Sequence, residues 1–162
     1  MDAQYLLGQN LEHSGDNSAA IQHWKAAVQI DPNHSQALYN LAKALNRIHD
    51  ADAKQYQDRF DALQKNQQIV DRVSELGNFA LEAANAQNWP QAMEEMNEAI
   101  QLCGNCSQSA HLHKNLGLFY GRTGNIGEAE KELRTALLLA PNDTDAQNAL
   151  AMLERTHEEQ VK

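Results

Sequence analysis

The sequence predicts an all-α chain assembled from a repeated unit, and two observations predict it. Ala, Leu, Gln, Glu and Lys dominate, whereas only three prolines and eight glycines punctuate the 162 residues, a balance that favours helix over strand nearly everywhere. The chain also carries an internal period. Leu7-Gly8, Leu11, Ala20, Trp24, Ala27 and Pro32 recur as Leu116-Gly117, Tyr120, Ala129, Leu133, Ala136 and Pro141, each pair 109 residues apart. A repeat of this kind is the signature of a stacked architecture, in which each unit needs its neighbour to bury its apolar face.

The intermediate copies fill the interval. Leu41-Ala42 and Leu45 lie 34 residues beyond the first set, Phe79-Ala80, Ala83, Ala92, Met96 and Ala99 lie 72 beyond it, and Leu150-Ala151 follows Leu116-Gly117 by another 34. This succession resembles the tetratricopeptide-repeat family, whose large, small and aromatic positions recur every 34 residues and end on a proline. The resemblance covers essentially the whole chain. It implies a right-handed α-solenoid of antiparallel helix pairs, here about four repeats at residues 1–34, 35–68, 73–106 and 110–143 with a capping helix at 144–160, forming a single domain over 1–162.

Each element has a local reason. Gly8 and Ala20 are small where two helices cross, Trp24 and Leu11 fill the space between them, and Ala27 lets the next hairpin approach. Gly15-Asp16 and Gly124-Asn125 supply turns, with glycine taking a positive φ and Asp or Asn capping the next helix. Pro32 and Pro141 stop the second helix of their hairpins. In the second repeat the small and aromatic residues, Ala53 and Tyr56, stand early, ahead of the register. The offset of 72 is two periods plus about one helical turn, which places an insertion near Gln67 to Arg72. No Gly or Pro occurs from Ala51 to Leu76, so unusually long helices are expected there, either one or two. The last segment predicts an amphipathic helix with Leu150 and Leu153 inward and Glu154, Arg155, Glu158 and Glu159 outward, covering the open end of the stack. Helix-forming residues begin at residue 2, which predicts a fragment or a missing N-terminal repeat.

Composition narrows function. The formal charge of -9 repels a phosphate backbone, and no basic stripe with interleaved aromatics offsets it, so nucleic acid is not expected as a partner. Apolar runs are too short to span a bilayer, so membrane insertion is not expected either. The chain reads as soluble and of bacterial type, with cytoplasm and periplasm both open. Leu63-Gln64-Lys65, Asn88-Trp89-Pro90-Gln91-Ala92 and Cys103-Gly104-Asn105-Cys106 resemble bacterial repeat proteins of pilus biogenesis or secretion.

Solenoids of the resembled family bind on a concave face lined by the first helix of each pair. Helical spacing places Tyr5, Gln9 and His13 there, then Tyr39, Lys43 and Arg47, then Gly77, Leu81 and Ala84, then His111, Lys114, Leu118 and Arg122, with Asn148, Met152 and Arg155 from the last helix. Tyr5 and Tyr39 share one register and are expected side by side, or else packed between hairpins. Lys43, Arg47, Lys114, Arg122 and Arg155 predict a basic groove in an acidic chain, suited to an acidic peptide with apolar anchors; a solvated, mixed face is the bland alternative. The Lys and Asn set with which some family members clamp a carboxyl terminus is replaced here by Tyr5, Gln9, Tyr39 and Gly77, which argues against that clamp.

Cys103 and Cys106 fall in a loop. A disulfide suits an exported protein and two free thiols a cytosolic one. Zinc with His111 and His113 is disfavoured, because two histidines one residue apart on a helix diverge. A thioredoxin-like pair should begin a helix, and this one ends one. His23, His34, His49 and His157 are scattered singly. No nucleophile with a base, metal triad, phosphate loop or cofactor motif appears, so the expectation is a non-catalytic protein-interaction module. The alternative is a segment of a longer solenoid, a self-associating chain or a regulatory domain of a larger protein.

Overall fold

The structure is a computed structural model that describes residues 2–160, with the side chains of residues 157–160 excepted. Among the described residues there are eight helices and no strand: α1 (Asp2–His13), α2 (Asn17–Ile30), α3 (Ser35–Arg47), α4 (Ala53–Asn85), α5 (Trp89–Cys103), α6 (Ser109–Arg122), α7 (Ile126–Leu139) and α8 (Thr144–Gln160). The architecture is all-α, built of helix pairs as in a solenoid. His157, Glu158 and Glu159, for which surface positions were expected, have side chains outside those described.

The expected single domain takes the form of two compact units, residues 1–67 and 68–162. The boundary falls inside α4, which is one helix of 33 residues. Residues Gln67 to Arg72, where an insertion was expected, therefore form no turn. The sequence supplies none of the glycine, proline or capping chemistry that a turn there requires.

In the first unit, α1 and α2 cross at Gly8. A Cβ at that position would lie 2.5 Å from the indole nitrogen of Trp24, and Trp24 is fully buried. Ala20, Leu38, Leu41 and Leu45 close the core around the indole, while Tyr5, Tyr56, Phe60 and Leu63 pack on it while partly buried. The early placement of Ala53 and Tyr56 is thus absorbed by α4 starting at Ala53. Each fully buried large apolar side chain contributes about 1.5–3 kcal/mol relative to exposure. The indole N–H of Trp24 finds no hydrogen-bond partner, so its stabilisation comes from packing alone.

In the second unit the same crossing recurs at Gly117, where a Cβ would meet the Leu133 side chain at 2.8 Å and the Ala129 carbonyl at 3.1 Å. Val73, Leu76 and Ala80 of α4 pack with Met96 and Ala99 of α5 and with Leu112, Leu116 and Phe119 of α6. Ala129, Leu133 and Ala136 of α7 and Ala146 of α8 are also buried.

The four turns inside helix pairs share one backbone solution. Asp16 N–H donates to the Leu11 carbonyl, Asp50 to Leu45, Asn88 to Ala83 and Asn125 to Tyr120, at 2.8–3.0 Å. The residue before each donor, Gly15, His49, Gln87 or Gly124, has φ between +55° and +89°. This is the paired-bond motif that ends a helix on a left-handed residue, and an Asp or Asn follows it every time. Asp16 then caps α2 by accepting from the Ala19 N–H at 3.0 Å.

Candidate functional site

The residues expected on the docking face divide by what their side chains touch. Tyr5 is half-buried, with its ring centroid 4.9 Å from that of His34 and its hydroxyl accepting from the Gln9 amide at 2.7 Å. Tyr39 is 46 % exposed and leans on Phe60 of α4 at 5.4 Å. The two tyrosines share a register, yet each ring packs against a different partner. Beside Tyr39, Lys43 of α3 and Lys54 of α4 line a shallow depression.

Two of the expected cations are engaged. Arg47 donates to Glu12 at 2.7 Å, which ties α3 to α1. Lys114 is only 13 % exposed and meets Asp143 at 2.8 Å and Asp145 at 3.8 Å. Asp143 also caps α8, accepting from the Ala146 N–H at 3.0 Å. The Lys114 hydrogen bond, and after it the Ala146 N–H, hold the Asp143 carboxyl below the usual carboxylate range. Lys43 and Arg122, by contrast, have no carboxylate partner among the described residues.

In the second unit the face gains an apolar stripe. Leu81 of α4, Leu118 of α6 and Met152 of α8 occupy one register and are 39 %, 40 % and 69 % exposed. Leu81, Trp89, Leu118 and Phe119 line one depression with Arg122, and Leu118, Gly121, Met152 and Leu153 line a second with the same arginine. Arg122 stands in the last turn of α6, between the two hollows. A third hollow joins Leu81 to Ser74, Gln108, His111 and Asn115. There the Gln108 amide donates to the Ser74 hydroxyl at 3.0 Å, and Asn115 lies 3.1 Å from the His111 ring.

Trp89 escaped the reading of first-helix faces because it begins a second helix. Its place directly before Pro90 was the available signal, since a residue ahead of a proline at a helix start is held at the loop side. The partnership of His113 with Glu132 at 2.6 Å was also missed. It repeats the register of His23 and Gln4, whose side chains meet at 2.6 Å with the same spacing of 19 residues. Cys103 and Cys106 are joined in a disulfide. Among the described residues no three His, Cys, Asp or Glu side chains gather to hold a metal ion, and no helix is long and apolar enough to cross a membrane.

Comparison with known proteins agrees with this arrangement of helix pairs. Residues 13–48 match a family described as TPR repeat and residues 110–143 one described as Tetratricopeptide repeat. No curated protein matches the chain in sequence. Among solved structures the chain is similar to MamA, at 20 % identity over 93 % of this chain and 84 % of that one, with a TM-score of 0.50. It is similar to pilF of Pseudomonas aeruginosa, at 21 % identity over 99 % and 70 % with a TM-score of 0.50. The TPR domain of P58(IPK) is similar at 18 % identity over 98 % of this chain and 56 % of that one, with a TM-score of 0.51. At such identities the likeness speaks for the fold alone. The two family matches share the period that the small-residue crossings mark, and the chain carries tetratricopeptide repeats at residues 13–48 and 110–143.

Proposed function

We propose that this chain is a non-catalytic protein-interaction module, and that the second unit docks a peptide or partner protein along Leu81, Leu118 and Met152. The supporting observation is the conjunction of that exposed apolar stripe with Arg122 standing between its two hollows. Apolar side chains of a ligand fill such hollows, and a carboxylate on the same segment meets the guanidinium in two-point fashion. Lys114 and Arg47 serve the packing rather than the ligand. The basic character of the face therefore narrows to Arg122 and the exposed Arg155 here and to Lys43 beside Tyr39 in the first unit.

The test is selection of peptides on the purified chain from a random display library, followed by titration of the winners. Leu118→Glu, at a half-exposed position, should weaken binding by about tenfold, equivalent to about 1.4 kcal/mol. Arg122→Glu should weaken selectively those peptides that carry a carboxylate. Retention of affinity in both variants, with loss in Leu138→Glu on the second-helix surface of α7, would place the docking face elsewhere.

A further inference from the structure

We propose that the disulfide between Cys103 and Cys106 is a redox control on the wall of the docking face that the start of α6 forms. The proposal rests on the docking reading of that face.

The loops that join one helix pair to the next are built in two ways. The α2–α3 and α7–α8 loops each carry a proline, Pro32 or Pro141, and each ends on a side chain that caps the following helix. His34 accepts from the Ala37 N–H at 3.3 Å, and Asp143 from the Ala146 N–H at 3.0 Å. The α5–α6 loop has neither device. It contains no proline, and Gln108, at the capping position of α6, makes no side-chain cap.

Beside the bond from the Gln108 amide to the Ser74 hydroxyl at 3.0 Å, what holds this loop runs through the two cysteines. Cys106 N–H donates to the Cys103 carbonyl, and Ser109 N–H donates to the Cys106 carbonyl, both at 3.1 Å. The disulfide fixes Cys106 to Cys103, and Cys103 is buried in the core of the second unit. The covalent bond therefore takes the place of proline and cap together. Opening it returns conformational freedom to the loop. The residues released are functional ones: Gln108 and His111 line the hollow that also contains Leu81.

The chemistry is ordinary exchange with a dithiol reductant. A thiolate of the reductant attacks the partly exposed Cys106 sulfur and displaces the Cys103 sulfur, which takes up a proton. The second thiolate of the reductant then closes on its own mixed disulfide and expels the Cys106 sulfur, which is protonated in turn. Two electrons and two protons reach the protein, and the reductant leaves as a disulfide. The oxidised form is the one that holds α6 in place for docking.

The experiment is hydrogen exchange read by mass spectrometry on the full chain, air-oxidised, reduced with dithiothreitol, and as Cys106→Ser. The serine variant opens the bond while leaving Cys103 in the core. Amides from Asn105 to Leu112 should exchange roughly tenfold faster in the reduced protein and in the variant, with α1 to α3 unchanged. A peptide selected on the oxidised chain should bind the reduced chain at least several-fold more weakly. Unchanged exchange, two free thiols by intact mass in the air-oxidised protein, or acceleration spread evenly over α4 to α8 would each overturn the proposal. So would equal peptide affinity in both redox states for a peptide that Leu118→Glu weakens. If Leu118→Glu has no effect on the peptide, the docking reading fails and the redox control of that face fails with it, even where exchange accelerates.

Discussion

Tyr5 and His34 occupy in the first repeat the places that Lys114 and Asp143 occupy in the fourth, and the chemistry at the two places is unlike. In one, two rings meet at 4.9 Å; in the other, an ammonium and a carboxylate meet at 2.8 Å. Beneath them the same substitution of means recurs: Gln4 faces His23 in the first repeat, and His113 faces Glu132 in the fourth. The histidine has changed helices while the contact has stayed. The period thus determines where two side chains meet, and the residues at those points are free to choose how. What must be kept is the close crossing below, where Gly8 lies under Trp24 and Gly117 under Leu133.

The sharpest way to break the comparison is at that crossing. Trp24 and Leu133 share a register and are both fully buried. Trp24→Ala should cost about 3–5 kcal/mol and Leu133→Ala about 2–5 kcal/mol, as lost transfer energy plus a cavity. Denaturant titration gives the totals, and hydrogen exchange locates them: the first loss should appear in α1 to α3 and the second in α6 to α8. A loss from Trp24→Ala of less than 1 kcal/mol would show that the crossing is not what the repeat protects.

Those crossings were legible in the sequence because they rest on size alone, and size at fixed offsets survives any change of chemistry above it. The fate of Lys114 was not legible. Helical spacing gives the face on which a residue leaves its helix, but a long side chain also reaches whatever the next loop presents. Asp143 sits in that loop, in the register of His34, and a search for opposite charges at matched offsets would have found the pair. The division at Gln67 was hidden for another reason. The apolar stripe from Tyr56 to Leu76 continues at helical spacing through the boundary, and it predicts a helix without saying what packs on it. Five consecutive polar residues, Gln64 to Gln68, all exposed, were the contrary signal. The loop cysteines were visible as a motif, but the proline and cap they replace became apparent only beside the other two loops.

A smaller effect sharpens the comparison through pH. Asp143→Ala removes a helix cap together with the Lys114 pair and should cost about 1–2 kcal/mol at neutral pH. Asp143→Asn keeps an acceptor at the cap and removes only the charge. Because the folded-state pKa of Asp143 is lowered, its contribution is complete above the unfolded value of about 3.9 and fades as pH falls through the lower folded value. Wild type and Asp143→Asn should therefore differ at pH 7 and converge below that window. In the first repeat the same register holds His34, whose ring nitrogen lies 3.8 Å from the Asp2 carboxylate. Parallel acid profiles for wild type and Asp143→Asn would mean that the Lys114 contact contributes nothing.

The smallest effect concerns the turns, where the repeats agree in backbone and differ in residue. Gly15 and Gly124 take the left-handed position in the first and fourth repeats, whereas His49 and Gln87 take it in the second and third, at φ of 55° and 60°. A residue with a Cβ is held there by the paired bonds that close the turn, as from Asp50 N–H to the Leu45 carbonyl at 3.0 Å. The left-handed conformation costs such a residue roughly 1–2 kcal/mol that glycine does not bear. Glycine gives back about 0.5–1 kcal/mol through the greater freedom of its unfolded chain. His49→Gly should thus stabilise the first unit by about 0.5 kcal/mol net, whereas Gly124→Ala, the reverse change, should destabilise the second. His49 is exposed, which makes it the cleaner site, since Gln87 lines the hollow beside Leu81 and Arg122. Denaturation midpoints of the two variants should move in opposite directions. Movement in the same direction would show that the backbone at His49 is set by its side chain and not by the register that all four turns share.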